Sequence, residues 1–353
     1  LTRIFCVELY CAPGIKPKHL KRRYPMDTNF FKKIRILDGG MGQELLAKGM
    51  KTKGTLWSAN AVLDPAQHQL LVDTHLDFIE AGAEVIVTTT FCTRRQRLQD
   101  NGAEWQFEYA NRKAGELAVK ARELSGKQVL IAGGLPPQDR TYEADSRSDN
   151  DIRWSFREQA TLLEPYVDFF YLDVLSSARE IKLAVEGIQD LGKPYLVGIH
   201  ISEGTRLPSG DTITEVVNGV LCVPTSSQLL GIMLSCVSPE NYDANLAEIG
   251  SLGIPFGFKV NAFKTTKPKD GYTNTFNQTT SGNPNEFLGQ RKDLTADRLS
   301  DIARDFVNAG ATIVGGCCET RPSHIQALSS LKNDSVTLTP STAYWSGTET
   351  AGW

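Results

Sequence analysis

Eight short apolar runs recur along the chain, with longer stretches of helical period between them. The runs are RILDGG, EVIVTTTF, QVLIAGGL, VDFFYLDV, PYLVGIHI, LLGIMLSC, PFGFKVNA and ATIVGGCC. They are rich in β-branched and aromatic residues and lack the strict alternation of a half-exposed strand, so both faces of each are expected to be buried. Stretches such as DPAQHQLLVDTHLDFIEAG and SSAREIKLAVEGIQDLG separate them, and several end in Gly just before the next run, which is a helix stop. Eight strand–helix units within 353 residues predict a single-domain (β/α)8 TIM barrel. An open doubly wound sheet is the competing arrangement, but eight near-equal units favour closure.

The barrel is expected over residues 31–333, preceded by a poorly ordered basic extension over 1–30 and followed by an irregular tail over 334–353. Met26 opens MDTNFFKKIRILDGG and reads as the natural start. The polar loop 263–295, rich in Gly, Asn and Thr, leaves the same end of the barrel as the strand termini, as a lid or a surface insertion. A formal net charge of −3 gives no electrostatic footprint for nucleic acid or an anionic membrane. No apolar run approaches the roughly 18 residues of a membrane span. Seven cysteines, an odd number in a long chain, do not form a secreted disulfide framework and point to a reducing, cytoplasmic home. Nothing in the sequence speaks to oligomeric state.

In a barrel the C-terminal ends of the strands meet at one mouth, where active sites form. Here they carry Asp38-Gly39-Gly40, Thr88-Thr89-Thr90, Gly133-Gly134, Asp173, His200, Cys236, Asn261 and Cys317-Cys318. Cys236 ends the sixth run and the adjacent pair ends the eighth, with one strand between them. Three sulfurs can therefore meet, a donor set suited to Zn²⁺ with one tetrahedral position left for a catalytic ligand. Gly315 and Gly316 are expected to let the backbone bend so that consecutive cysteines face one ion. Cys6, Cys11, Cys92 and Cys222 have no such setting. The competing readings are three small buried hydrophobes or a vicinal disulfide, the latter disfavoured by local geometry. A three-thiolate zinc centre binds and deprotonates an incoming thiol, giving a nucleophile at neutral pH. Spacing alone leads to thiol activation and no further.

The phrases ILDGGMGQELLAKG, LWSANAVLDPAQHQLLVDTHLDFIEAGAEVIVTTTF, RLPSGDTI, GIMLSCVSPE and GATIVGGCCETRPSHI, in that order over roughly residues 34–330, resemble the homocysteine S-methyltransferase family. The resemblance implies a zinc-dependent barrel that moves a methyl group onto homocysteine to give methionine, with Cys236, Cys317 and Cys318 as ligands. It implies that Asp38 and Asp173 hold the amino acid's ammonium, with the backbone of Gly39 and Gly40 at its carboxylate. Thr89 and Asn261, at two further strand ends, are expected on the same substrate-facing shell. LWSA leans towards members that use S-methylmethionine as donor, and no corrinoid- or folate-binding module follows the barrel. Several positions depart from the family pattern. Asp173 stands for the usual Glu, Ser235 for the Asn before the first cysteine, GGLPP for GSxGP, and Lys259-Val260-Asn261 for YPN. The metal set is intact, and the changes fall on the substrate side.

A sulfonium donor is attracted to aromatic faces, for which Trp57, Phe91, Trp154 and Tyr272 are candidates. His200 is a candidate acid or base, whereas His324, in the helix after the cysteines, is expected to cap or pack. The partners implied are a small-molecule thiol acceptor and a methyl donor. Methyl transfer to another small thiol or selenol is the alternative chemistry, and a non-catalytic barrel that binds zinc or an amino acid is the alternative class.

Overall fold

The computed structural model describes residues 26–267 and 288–332. Most of the expected extension, the centre of the polar loop including Tyr272, the tail from 333, and Cys6 and Cys11 lie outside the described residues. Eight strands run β1 (Arg35–Ile36), β2 (Val85–Val87), β3 (Leu130–Leu135), β4 (Phe169–Leu175), β5 (Tyr195–Ile199), β6 (Leu229–Val237), β7 (Phe256–Val260) and β8 (Ile313–Gly316). All pair in parallel, in the order β1-β8-β7-β6-β5-β4-β3-β2. The remaining seam, between β1 and β2, is joined by a bridge from Leu37 to Val85, with Glu84 N donating to Ile36 O (2.8 Å) and Asp38 N to Val85 O (3.0 Å). The sheet thus closes as a barrel.

Helices follow the strands around the outside: α1 (Met41–Ala47), α2 (Asn60–Leu63), α3 (His68–Glu80), α4 (Arg95–Asp100), α5 (Phe107–Ser125), α6 (Asp149–Leu163), α7 (Ala178–Ile188), α8 (Ile213–Leu221), α9 (Pro239–Gly250), α10 (Ala296–Asn308) and α11 (Pro322–Ser329). Five of them start where a short polar side chain satisfies a free backbone N–H. Ser148, Ser177, Ser238 and Thr295 cap α6, α7, α9 and α10, and Thr212 forms a capping box with Glu215 at α8.

Strand parity decides what faces the barrel axis. Leu37, Val85, Phe169, Tyr171, Leu196, Met233 and Ile313 fill the centre, while Phe170, Leu172, Phe258, Val260 and Val314 belong to the core between sheet and helices. Asp173, two residues beyond Tyr171, therefore points inward, as does Lys259, which lies between the outward Phe258 and Val260. Among the described residues no helix is long and apolar enough to cross a membrane.

Candidate metal centre and substrate cavity

By the same parity Ser235 faces in, and Cys236 should face out into the helical layer. A register shift between Ser235 and Val237 prevents this, with Cys236 itself in the left-handed region at φ 56°. Such a bulge re-aims one side chain at a strand end, and a non-glycine residue held there stores roughly 1–3 kcal/mol of strain. The paired irregularity on β4, with Val174 at φ 66°, lies just beyond Asp173. Asn261 buttresses the turned residue: its Nδ2 donates to Cys236 O (2.7 Å), and its Oδ1 accepts from Phe263 N (2.7 Å).

The adjacent cysteines sit on a turn tied to both neighbouring strands. Cys317 N donates to Val260 O (2.8 Å), Ala262 N to Cys318 O (3.0 Å), Gly316 N to Asp38 O (3.1 Å) and Gly40 N to Thr320 O (2.8 Å). Gly315 and Gly316 do not serve as a bend, because neither has positive φ. They make room instead. A Cβ on Gly316 would lie 2.1 Å from Thr320 Oγ1, and one on Gly315 would lie 2.9 Å from Leu37 Cβ. That corrects the expectation of a hinge: the requirement is steric space, not dihedral freedom.

The outcome is a compact sulfur cluster. Cys236 Sγ lies 3.7 Å from Cys318 Sγ, Cys317 Sγ lies 3.9 Å from Cys318 Sγ, and all three fall within 4.8 Å of one another. A tetrahedral ion with Zn–S bonds of about 2.3 Å holds its sulfurs about 3.8 Å apart, so the spacing fits. Burial opposes charge on Cys236, yet hydrogen bonds from Cys317, Cys318 and Tyr142 outweigh it and bring its pKa well below the usual thiol value. Cys317 rises to about 12, chiefly through its hydrogen bond to Cys236, and Cys318 rises for the same reason. Three thiolates together call for a metal.

The cluster opens into a cavity of about 110 Å³, lined also by Asp38, Gly39, Gly40, Thr89, Asp173, Lys259, Gln43, Trp57, Phe91 and Tyr142. Asp38 enters it already engaged, with Oδ2 accepting from Val87 N (2.8 Å) and Oδ1 3.4 Å from Lys259 Nζ. Burial nonetheless raises its pKa, against the pull of Lys259. The buried Oδ1 of Asp173 has no partner among the described residues, and burial lifts its pKa to about 6 against the pull of Lys259 and the nearby Tyr171 and Ser235 hydroxyls. Burial works against the charge of Lys259, and the Asp38 and Asp173 carboxylates overcome it, holding the ammonium above the ordinary lysine range. Both amide atoms of Gln43 and the Nε1 of Trp57 are likewise buried without a partner among the described residues. Orphaned polar atoms around one cavity mark a seat for a small polar ligand.

Not every candidate reaches the cavity. Asn261 lies behind Cys236 and lines a separate polar depression with Ser202 and Asn241. His200 is fully buried, stacked on Tyr142 with ring centroids 4.4 Å apart and paired with Ser202 Oγ (2.8 Å), and burial lowers its pKa to about 4. His324 caps its own helix through Arg321 N and contacts Leu294 O. Trp154 is exposed on the outside. Trp57 and Phe91 do line the cavity, and Gly42 is what admits the indole, since a Cβ there would meet Trp57 Cζ2 at 2.3 Å. Gln43 and Tyr142, whose hydroxyl is 3.1 Å from Cys236 Sγ, had no sequence signal. Lys259 had one: a cation at inward parity in an otherwise apolar strand.

The family model that matches this chain, over residues 35–331, is described as homocysteine S-methyltransferase. Homocysteine S-methyltransferase 1 of Saccharomyces cerevisiae is 24% identical over 84% of this chain and 94% of its own length. The homocysteine S-methyltransferase of Escherichia coli is 25% identical over 84% and 94%. The metallated crystal structure of the E. coli homocysteine methyltransferase MmuM superposes with a TM-score of 0.68 at 23% identity, covering 84% of this chain and 96% of that one, a likeness of fold.

Proposed function

The chain belongs to the homocysteine S-methyltransferase family, and from that premise we propose that it transfers a methyl group from S-methylmethionine to homocysteine, at a zinc ion held by Cys236, Cys317 and Cys318. The observation that carries this reading is the tetrahedral spacing of three sulfurs beside an unpartnered carboxylate oxygen. Cys236, Cys317 and Cys318 would hold the zinc, which would supply a deprotonated acceptor thiol at neutral pH.

The chain's own residues do the rest. Asp173 Oδ1 receives the homocysteine ammonium, Asp38, paired with Lys259, lines the same cavity from the end of β1, and the backbone at Gly39 and Gly40, with Thr89, borders the rest of the amino acid. Holding the acceptor at one end fixes the direction in which its sulfur meets the methyl carbon. The faces of Trp57 and Phe91 attract a sulfonium, worth roughly 0.5–2 kcal/mol, and keep water from the transfer path. In the transfer the acceptor thiol releases its proton to water, and the resulting thiolate forms a bond to the methyl carbon. The carbon–sulfonium bond breaks, and its electron pair returns to the donor sulfur, leaving a neutral thioether. Residence in the cytoplasm, where thiols stay reduced, suits three free cysteines.

The test is to incubate zinc-loaded protein with homocysteine and S-methylmethionine and measure methionine. Methionine formation that requires both Cys236 and Cys317 supports the reading. Product formed equally well by Cys236→Ala and Cys317→Ala would overturn the metal assignment.

A further inference from the structure

We infer that Lys259 determines the class of acceptor: its ammonium binds the acceptor's carboxylate, so that the site takes mercaptocarboxylic acids lacking an α-amino group as well as homocysteine. This rests on the thiol-methylating reading of the same cavity and adds to it.

Two acids facing a closed cavity need a cation, and where none is built in, a substrate ammonium must supply it. Here one is built in. Lys259 sits at the inward parity of β7, with its Nζ 3.4 Å from Asp38 Oδ1 and 5.5 Å from the centre of the Tyr171 ring. Room for its stem comes from the neighbouring strand, where a Cβ on Gly315 would lie 3.5 Å from Lys259 Cγ. Asp38 is therefore neutralised by the chain itself, and of the two carboxylates only Asp173 retains an unpartnered oxygen among the described residues.

The acceptor's amine thus has one seat in place of two, and its loss leaves less uncompensated charge behind. The donors, by contrast, are in surplus. An ammonium offers three N–H groups, and Lys259 engages Asp38 with a single long contact. The Gln43 amide, which lines the same cavity, has no partner among the described residues. A cation and an amide donor beside one neutralised acid form a seat for an anionic oxygen pair. The thiol must still reach the cysteines, so the ligand is a short chain with a thiol at one end and a carboxylate at the other.

The test compares three thiols on zinc-loaded protein by calorimetry and by methyl transfer: homocysteine, 4-mercaptobutanoate (the same molecule without its amine) and 3-aminopropanethiol (without its carboxylate). We expect 4-mercaptobutanoate to bind within about tenfold of homocysteine, and 3-aminopropanethiol about 100-fold more weakly. Lys259→Met should weaken the two carboxylate-bearing thiols by roughly 10- to 100-fold and bind the aminothiol no more weakly than before, because it frees Asp38 for an ammonium. Binding of 4-mercaptobutanoate more than about 100-fold weaker than homocysteine, or equal effects of Lys259→Met on all three thiols, would overturn the inference. Should Lys259→Met fail to fold, the wild-type ranking decides alone. Methionine made from homocysteine, with 4-mercaptobutanoate neither bound nor methylated, defeats this inference and spares the methyl-transfer reading. The predicted binding order with no methylated product defeats that reading and spares the inference.

Discussion

Around the cavity β6 and β8 bring three sulfurs within 4.8 Å of one another, and β1, β4 and β7, the last lying between those two strands, bring two carboxylates and an ammonium. The sulfur side is held by backbone: a bulge that turns Cys236 inward, a turn hydrogen-bonded to both neighbouring strands, and two glycines with no room for a side chain. The charged side is held by side chains, with Lys259 on a regular strand position, Asp38 just past β1 and Asp173 within the irregular end of β4. Asp173 and Lys259 stand where the family pattern has Glu and Tyr, yet the barrel and the cysteine cluster are in place. The sulfur cluster is therefore the backbone-fixed part of this cavity, and the charged cluster is the part set by side chains.

If that division holds, substitutions on the two sides should fail differently. The largest effect is expected from Cys318→Ala, which should lower zinc from one equivalent to a small fraction by elemental analysis and cut methyl transfer by about 10³-fold or more. Next, Asp173→Asn should raise the KM for homocysteine by up to about tenfold with zinc content and kcat nearly unchanged, because it removes a charged hydrogen bond to the acceptor. Asp38→Asn should raise KM less, since Asp38 already carries Lys259. A reversed order would show that the ammonium seat lies on β1.

A smaller effect tests the backbone side. Gly316→Ala forces a Cβ against Thr320 Oγ1 and should cost about 1–3 kcal/mol in denaturant unfolding. Adding Thr320→Ala should recover part of the loss, whereas no recovery would mean that the glycine is needed for something other than space.

The smallest effect lies away from both sides, in Glu180 at the start of α7. It is fully buried, its Oε2 accepts from Ser176 N (3.1 Å), and burial lifts its pKa to about 8. The raised value means that the folded state keeps a proton that the unfolded state releases, so stability is greatest below the ordinary glutamate pKa and falls as pH rises through about 8. Glu180→Gln should flatten that decline, melting closer to the wild type at pH 5 and above it at pH 9.

The barrel was legible because eight apolar runs with helices between them admit few closed arrangements, and the cysteines were legible because sulfur at two strand ends has few uses. Cys236 shows where such reading stops. Alternation alone sends its side chain outward, and only the bulge, which has no marker in LLGIMLSC, brings it in. Asn261 was expected beside the substrate because it ends a strand, but its amide is spent on Cys236 O and Phe263 N. Gln43 and Tyr142 come from a helix and a loop whose sequences do not say which residue will turn towards the mouth. Lys259 was visible as a departure, but its meaning needed the distance to Asp38.

The most direct test of the metal account is zinc K-edge X-ray absorption on the purified protein, before and after addition of homocysteine. The account predicts three sulfur neighbours at about 2.3 Å and one lighter atom at rest, changing to four sulfurs with the thiol present. Two or fewer sulfurs at rest, or a coordination shell indifferent to homocysteine, would contradict it.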